Sequence, residues 1–438
     1  MCARILHQCE YLQGGRERLA AWLAGDEMPP LEAFLGSLDV IADGPYAPRP
    51  RCRAETTAPF CIIGDMGTAD AISLTRSLLA YDTINPPGRE QDCARHAGGL
   101  LEQWGFSVAY HEYEPGRTSV VARAGASDAR APLCLTGHLD TVALGTRPWS
   151  KDPFAGEADG DRLYGRGVSD MKAGVAAILL AARNVAPRLQ GSPGIVIVLT
   201  AAEEGGCIGS QRLAETALLG HAGALVVGEP TANYPYVGHK GSIKFHARYQ
   251  GVSAHGSMPQ LGVNAIYKAA HAVAALERFD FRASAHPVMG APTMNVGTMA
   301  GGSGVNMVPD TASIGVDIRT VPGMDHAALL ARLRDTLRDA ELDVFSDLPP
   351  VWTPPQEEWI GRVFDIVRAH LGTRPEPRTA TYMTDAANLL KVYQGAPTVV
   401  LGPGQPELAH QTDEWCSQER IRQAVAIYEA IIQDWCRP

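Results

Sequence analysis

Three apolar stretches, LCLTGHLD (133–140), PGIVIVLTAAEE (193–204) and GALVVGEPT (223–231), run straight into imidazole and carboxylate side chains. Continuous Val/Ile/Leu runs without polar alternation describe strands buried on both faces, as in a parallel sheet. Polar groups at the carboxyl ends of such strands line the crevice where open α/β sheets bind ligands. Between the first two stretches, RLYGRGVSDMKAG (162–174) sets Asp170 just ahead of an Ala/Leu-rich helical run. Sheet order therefore gathers His138, Asp140, Asp170, Glu203, Glu204 and Glu229 at one edge.

Carboxylates packed this closely raise one another's pKa unless a cation neutralises them. One divalent metal, or two, is the simple remedy, and imidazole plus carboxylate without thiolate suits zinc, manganese or cobalt. His138 and Asp140 lie on the same side of a strand end, which places Asp140 to orient the metal-binding ring. Of the Glu203–Glu204 pair, one ligates while its neighbour takes the proton of a metal-bound water. Each piece alone has a plainer reading: a loop histidine, a solvated helix start, an N-cap aspartate. The sheet joins them. Cys207, close by, is a packed thiol or at most a weak ligand.

Working outward, the chain has 438 residues, enough for two or three domains. It is 45% hydrophobic and 20% charged, an ordinary globular composition. A net charge of −10 speaks against nucleic acid or an anionic membrane as partner. The apolar runs are too short to span a bilayer, and the N-terminus lacks the apolar core of a secretion signal. The nine cysteines are scattered without C-x-x-C spacing, the usage of reduced thiols in a cytoplasmic protein.

Residues 1–65 carry little pattern beyond short helical stretches at 16–24 and 31–41, and read as an N-terminal extension. Residues 66–235 form the first segment of a catalytic domain, with helices near 69–81 and 90–104 and strands near 106–113 and 118–123. From 236 to 347 the order is β-α-β-β-α-β, the ferredoxin-like arrangement, inserted as a second domain. Residues 348–438 return through PPVWTPP to complete the first domain. The fold expected is an α/β chain with a mainly parallel catalytic sheet. In the insert, His255, Asn306 and Arg319 stand out; the Gly-rich GGSG before Asn306 lacks a P-loop lysine and reads as a turn.

GHLDTV (137–142), GRGVSDMKAG (165–174), TAAEEGG (200–206), GEPT (228–231), SAHGSMPQLGVNAI (253–266) and the late His410 resemble the dinuclear zinc amidohydrolases and exopeptidases. That family includes acetylornithine deacetylase, succinyl-diaminopimelate desuccinylase, aminoacylase and carboxypeptidase G. The resemblance implies a zinc-exopeptidase-like fold with the insert as a lid and dimerisation domain. It implies two Zn2+ per subunit, with Co2+ or Mn2+ as substitutes. Asp170 bridges them, His138 and Glu229 complete one site, and Glu204 and His410 the other. Glu203 is the general base toward a metal-bridged water, with Asp140 behind the ligands. Asn306 and Arg319 hold the substrate carboxylate, and His255 donates to the carbonyl oxygen from the partner of a homodimer. The Asp170–Met171 peptide is expected to be cis. The implied reaction is hydrolysis of a small N-acyl amino acid, of deacetylase or desuccinylase type, with carboxypeptidase or dipeptidase action as the alternative. YMTDAANL (382–389) departs from the glycine-rich loop of the biosynthetic deacylases, which leaves the acyl group open. A catalytically silent binding protein on the same fold is the remaining reading, and the intact ligand set argues against it.

Overall fold

The computed structural model describes residues 70–125 and 130–437; the N-terminal extension, with its two helical patterns, lies outside these. In chain order come α1 (Ala71–Leu79), α2 (Gln91–Gln103), β1 (Ser107–Glu114), β2 (Arg117–Ala124), β3 (Leu133–His138), α3 (Ala173–Val185), β4 (Ile195–Thr200), α4 (Ile208–Ala214), β5 (Ala224–Val227) and β6 (Tyr236–His239). The insert follows as β7 (Gly241–Gln250), α5 (Ala265–Glu277), β8 (Thr293–Gly301), β9 (Thr311–Thr320), α6 (His326–Thr336) and β10 (Ala340–Leu348). The chain closes with β11 (Val351–Trp352), α7 (Glu358–Leu371), β12 (Arg378–Ala380), α8 (Ala386–Val392), β13 (Thr398–Val400) and α9 (Gln418–Trp435).

The large sheet runs β1-β2-β4-β3-β5-β13-β6-β11, with β12 added beside β6. Its centre, β4-β3-β5-β13, is parallel. Both margins are antiparallel, because β1/β2 is a hairpin and the chain doubles back at β6 and β11. Every residue of β3, β4 and β5 is buried, as their unbroken apolar sequence requires. One face is covered by Leu213, Ala386, Leu389 and Tyr393 from α4, α8 and the turn after α8, packed on Val196, Val198, Leu225 and Val227. On α3, Ala and Gly let backbone approach the sheet closely: a Cβ on Gly174 would sit 2.1 Å from the Gly228 carbonyl oxygen. From β3 the chain moves first to β4 on one side and then to β5 on the other. This reversal beside β3 is the switch point at which open α/β sheets carry their ligands.

The smaller sheet is antiparallel, in the order β8-β9-β7-β10. With two helices between its strand pairs, this is the ferredoxin-like topology. Ile243, Phe245, Ala247, Ile314, Val316 and Ile318 point to α5 and α6 and form its core. The alternate residues, including Lys244, Asp317 and Arg319, are left on the open face. The last strand is longer than the sequence pattern of 342–345 suggests: Ser346 and Asp347 are both polar and end the apolar pattern, yet pairing continues past a bulge between Val344 and Ser346 to Leu348. His255, read as a loop residue, lies in a two-residue strand, 254–255, paired with 307–308.

Candidate metal centre and reaction cleft

His138 ends β3, Glu203 and Glu204 follow β4, Glu229 follows β5, and His410 lies in the loop after β13. Asp170 sits in a tight π-type turn leading into α3, and the Asp170–Met171 peptide is cis. The two carboxylate oxygens of Asp170 face different histidines. Oδ1 lies 3.0 Å from His138 Nε2, and Oδ2 lies 3.3 Å from His410 Nε2. Glu229 approaches His138 Nε2 at 3.8 Å, and Glu204 approaches His410 Nε2 at 3.1 Å. The result is two trios, His138–Asp170–Glu229 and Asp170–Glu204–His410, sharing Asp170. Ligands about 2.0–2.2 Å from a tetrahedral ion stand roughly 3.3 Å apart. The separations within both trios bracket that value, so the donors fit a pair of divalent cations.

The electrostatics agree. Burial drives Glu229 and Glu203 well above the usual carboxyl range, reinforced for Glu229 by Asp170 and for Glu203 by Asp385 and Glu204. Burial and Asp170 raise Glu204 as well. Burial opposes ionisation of Asp170, yet hydrogen bonds from both histidines hold it below its ordinary value. The same bonds, from Asp170 and Glu204, push His410 up to about 10. Negative charge is in excess here, and the two imidazoles are the only cationic side chains in the trios.

Asp140 is fully buried, but its carboxylate is 3.6 Å from the His138 ring; the ring's Nδ1 meets the Asp140 backbone carbonyl instead, at 2.9 Å. That contact occupies Nδ1 and turns Nε2 toward Asp170 and Glu229. The carboxylate accepts from Asn85 Nδ2 (2.8 Å), Glu203 N (3.0 Å) and Glu204 N (3.1 Å), so it anchors the loop that carries both glutamates. Cys207 belongs to neither trio; its thiol lies 3.3 Å from Glu203 Oε1.

Three supports were not anticipated. Glu414 accepts from Arg166 Nη1 (2.6 Å) and from the backbone N–H groups of Gly167, Ser169 and Asp170, bracing the turn that presents Asp170. Burial pushes Glu414 up to about 7 against the pull of Arg166. Asp385, buried behind Glu203, accepts from the Thr200 hydroxyl. Tyr382 walls the cleft and donates to the Pro230 carbonyl at 2.6 Å. Motif reading reaches Tyr382 and Asp385 only as parts of an unusual loop, and Glu414 follows His410 too closely to stand out.

A cavity of about 320 Å³ holds Asp170, Glu203, Glu204, Glu229 and His410 on one side, and Lys244, Arg319, Phe345 and Ser346 of the small sheet on the other. Arg319 thus joins the cleft. His255 and Asn306 do not line it; they sit beside each other at the exposed end of the insert, where Gly256 N donates to the Asn306 carbonyl at 2.7 Å.

An α/β sheet covered by helices on both faces, with paired acid–imidazole trios at its switch point and topped by a ferredoxin-like insert, defines a metal-dependent amide hydrolase. Residues 134–434 match the model of the peptidase family M20/M25/M40, and the chain belongs to that family. Among curated relatives, acetylornithine deacetylase of Pectobacterium carotovorum is 30% identical over 391 residues, covering 83% of this chain and 97% of the relative. Acetylornithine deacetylase of Vibrio cholerae is also 30% identical, over 376 residues, covering 83% and 96%. Among solved structures, an M20 family metallo-carboxypeptidase from Sulfolobus solfataricus superposes with a TM-score of 0.71 at 17% identity, covering 84% of this chain and 99% of that one. Human carnosine dipeptidase 1 gives 0.64 at 15% identity, covering 84% and 96%.

Proposed function

We propose that this chain hydrolyses the amide bond of an N-acyl amino acid, of the deacetylase or desuccinylase kind, with two zinc ions held by the Asp170-centred trios. The observation that carries this reading is a half-buried carboxyl, Glu203, that belongs to neither trio yet opens onto the same cleft. Cations held by His138, Asp170, Glu229, Glu204 and His410 would supply Lewis acidity toward the scissile carbonyl and the attacking water, and Co2+ or Mn2+ would substitute for zinc. Glu203 takes the proton from the attacking water and delivers it to the leaving amine nitrogen. Burial, which raises Glu203, suits a group that must both accept and return a proton. Arg319 holds the substrate carboxylate from within the cleft, where the planar guanidinium matches it in two places, and Asn306, which lies beside His255 outside that cleft, joins it from the second subunit. Action on short peptides as a carboxypeptidase or dipeptidase is the alternative on the same machinery. Release of amine from a panel of N-acyl amino acids and dipeptides, with zinc content measured alongside, decides between the two. A zinc-loaded protein that hydrolyses none of them would sink both.

His255 completes the site from a second subunit in this reading. Support comes from its surroundings: Val252, Met258, Leu261, Val263, Tyr267, Met299, Val305 and Met307, eight of the ten large apolar side chains exposed among the described residues, lie in the same part of the insert. Apolar exposure concentrated in this way marks a contact surface. The chain is then a cytoplasmic homodimer paired through residues 236–347, with 66–235 and 348–438 as its catalytic domain. Among the described residues, no helix is long and apolar enough to cross a membrane. Mixing His255→Ala with Glu203→Gln protein tests the pairing. Exchanged dimers hold one site with both groups and recover activity; verified exchange without recovery removes His255 from the partner's site.

A further inference from the structure

Lys244 plays no part in the chemistry above, yet it faces the reaction cleft. It stands on the open face of the small sheet, opposite Asp317 on β9 and Ser346 on β10. Among the described residues its ammonium has no hydrogen-bond or ion-pair partner. Its neighbours differ. Lys240 is held by the Ala291 carbonyl at 2.6 Å, and Arg319 gives one N–H to Asp317 at 3.0 Å. Ser346 Oγ, also lining the cleft, is buried with no partner. Arg319 lies two residues beyond Asp317, so Lys244 and Arg319 are diagonal neighbours on antiparallel strands, with backbones about 7–8 Å apart. A half-buried ammonium with three unused donors, next to an unsatisfied hydroxyl, is a site for an anion. One substrate carboxylate occupies Arg319, so Lys244 is left for a second. A substrate ammonium at this place would meet a like charge.

We propose that Lys244 is a specificity-determining residue that selects substrates carrying a second carboxylate, on the amino acid's side chain or at the far end of the acyl group. This rests on the reading of the reaction as N-acyl amino acid hydrolysis. The test uses zinc-loaded full-length protein and isosteric pairs: N-acetyl-L-glutamate against N-acetyl-L-glutamine for the side chain, and N-succinyl-L-alanine against its terminal amide, N-succinamoyl-L-alanine, for the acyl group, with N-acetyl-L-ornithine as the cationic case. In at least one pair, kcat/KM favours the acid tenfold or more. In Lys244→Met that ratio collapses to near one, in Lys244→Arg most of it returns, and N-acetyl-L-ornithine gains in Lys244→Glu. Thermal melting shows that the variants are folded. A drop shared equally by both members of each pair makes Lys244 a general charge balance and overturns the proposal, as does a wild type with no acid preference. Calorimetric binding of glutarate against its monoamide reads the same site without turnover. Glutarate binds at least tenfold tighter, and only when Lys244 is present; equal binding overturns the proposal. If no amide in the panel is cleaved but this preference holds, the reaction assignment falls and the anion site stands.

Discussion

Asp140→Asn separates two accounts of how the site is ordered. Asp140 Oδ2 accepts from both Asn85 and Glu204 N, while Oδ1 accepts from Glu203 N alone. The asparagine therefore turns its carbonyl toward the pair and its NH2 toward Glu203 N–H, and one bond is lost. A bond to a charged group contributes about 1.5–3 kcal/mol, so unfolding in denaturant should show a loss of about 2–3 kcal/mol. The group cut loose is the backbone of Glu203, the proposed general base. A misplacement on the order of 1 Å lowers turnover about 10²-fold, so kcat should fall by that much while both metals stay bound. Asp140 is also among the charges that raise Glu203, so its removal should move the acid limb of the kcat/KM profile to lower pH. Metal content by atomic emission, kcat and the pH profile are read on one preparation. If Asp140→Asn instead loses metal with near-normal turnover per bound pair, then the 3.6 Å contact to His138 governs, and the loop-anchor account is wrong.

Glu203→Gln should keep both metals and lower kcat by several orders of magnitude, whereas Glu204→Gln should weaken metal binding; near-normal turnover in Glu203→Gln removes its role as base. Glu414→Ala should destabilise the fold by about 3–5 kcal/mol, because it strands the buried Arg166 charge and three N–H groups; denaturant unfolding within about 1 kcal/mol of wild type contradicts this. Metal loading at pH 7.5 should release protons, since His410 titrates near 10 in the metal-free form and must bind as neutral imidazole; calorimetry in buffers of differing ionisation enthalpy reads the count, and zero release refutes it. The sign for stability follows: the His410 pairing supports the metal-free fold fully below about pH 6.5, its free value, and is lost as pH rises toward 10. Phe245→Ala, in the core of the small sheet, should cost about 3–5 kcal/mol of local stability without altering metal content, because every trio residue lies outside 241–348.

The site was legible because strand ends announce themselves: an apolar run stops and an imidazole or carboxylate begins at His138, at Glu203–Glu204 and at Glu229. The alternation of β7 and β9 likewise gave the ferredoxin-like insert. What escaped was fixed by distance along the chain. Glu414 meets the turn at Ser169 across 245 residues, and no local pattern records that approach. Lys244 looks like one polar residue on an alternating strand until the cleft closes over it. Asp140 was noticed, but spacing alone cannot tell a carboxylate that orients a ring from one that anchors a loop.

The position of β13 has a further consequence, in the timing of synthesis. The strand lies mid-sheet between β5 and β6, though it is among the last segments made. The trio His138–Asp170–Glu229 is complete once residue 229 has emerged; His410 follows 410 − 229 = 181 residues later. At about 5–20 residues per second, that leaves roughly 9–36 s with one cation site formed and the other lacking its imidazole. Over the same interval β5, four buried apolar residues, presents a bare edge, open to pairing with any neighbouring strand. The C-terminal segment thus acts as a keystone. Until it arrives, the nascent chain carries one assembled acid–imidazole trio beside an aggregation-prone seam, and β13 seals that seam as its loop delivers the last imidazole.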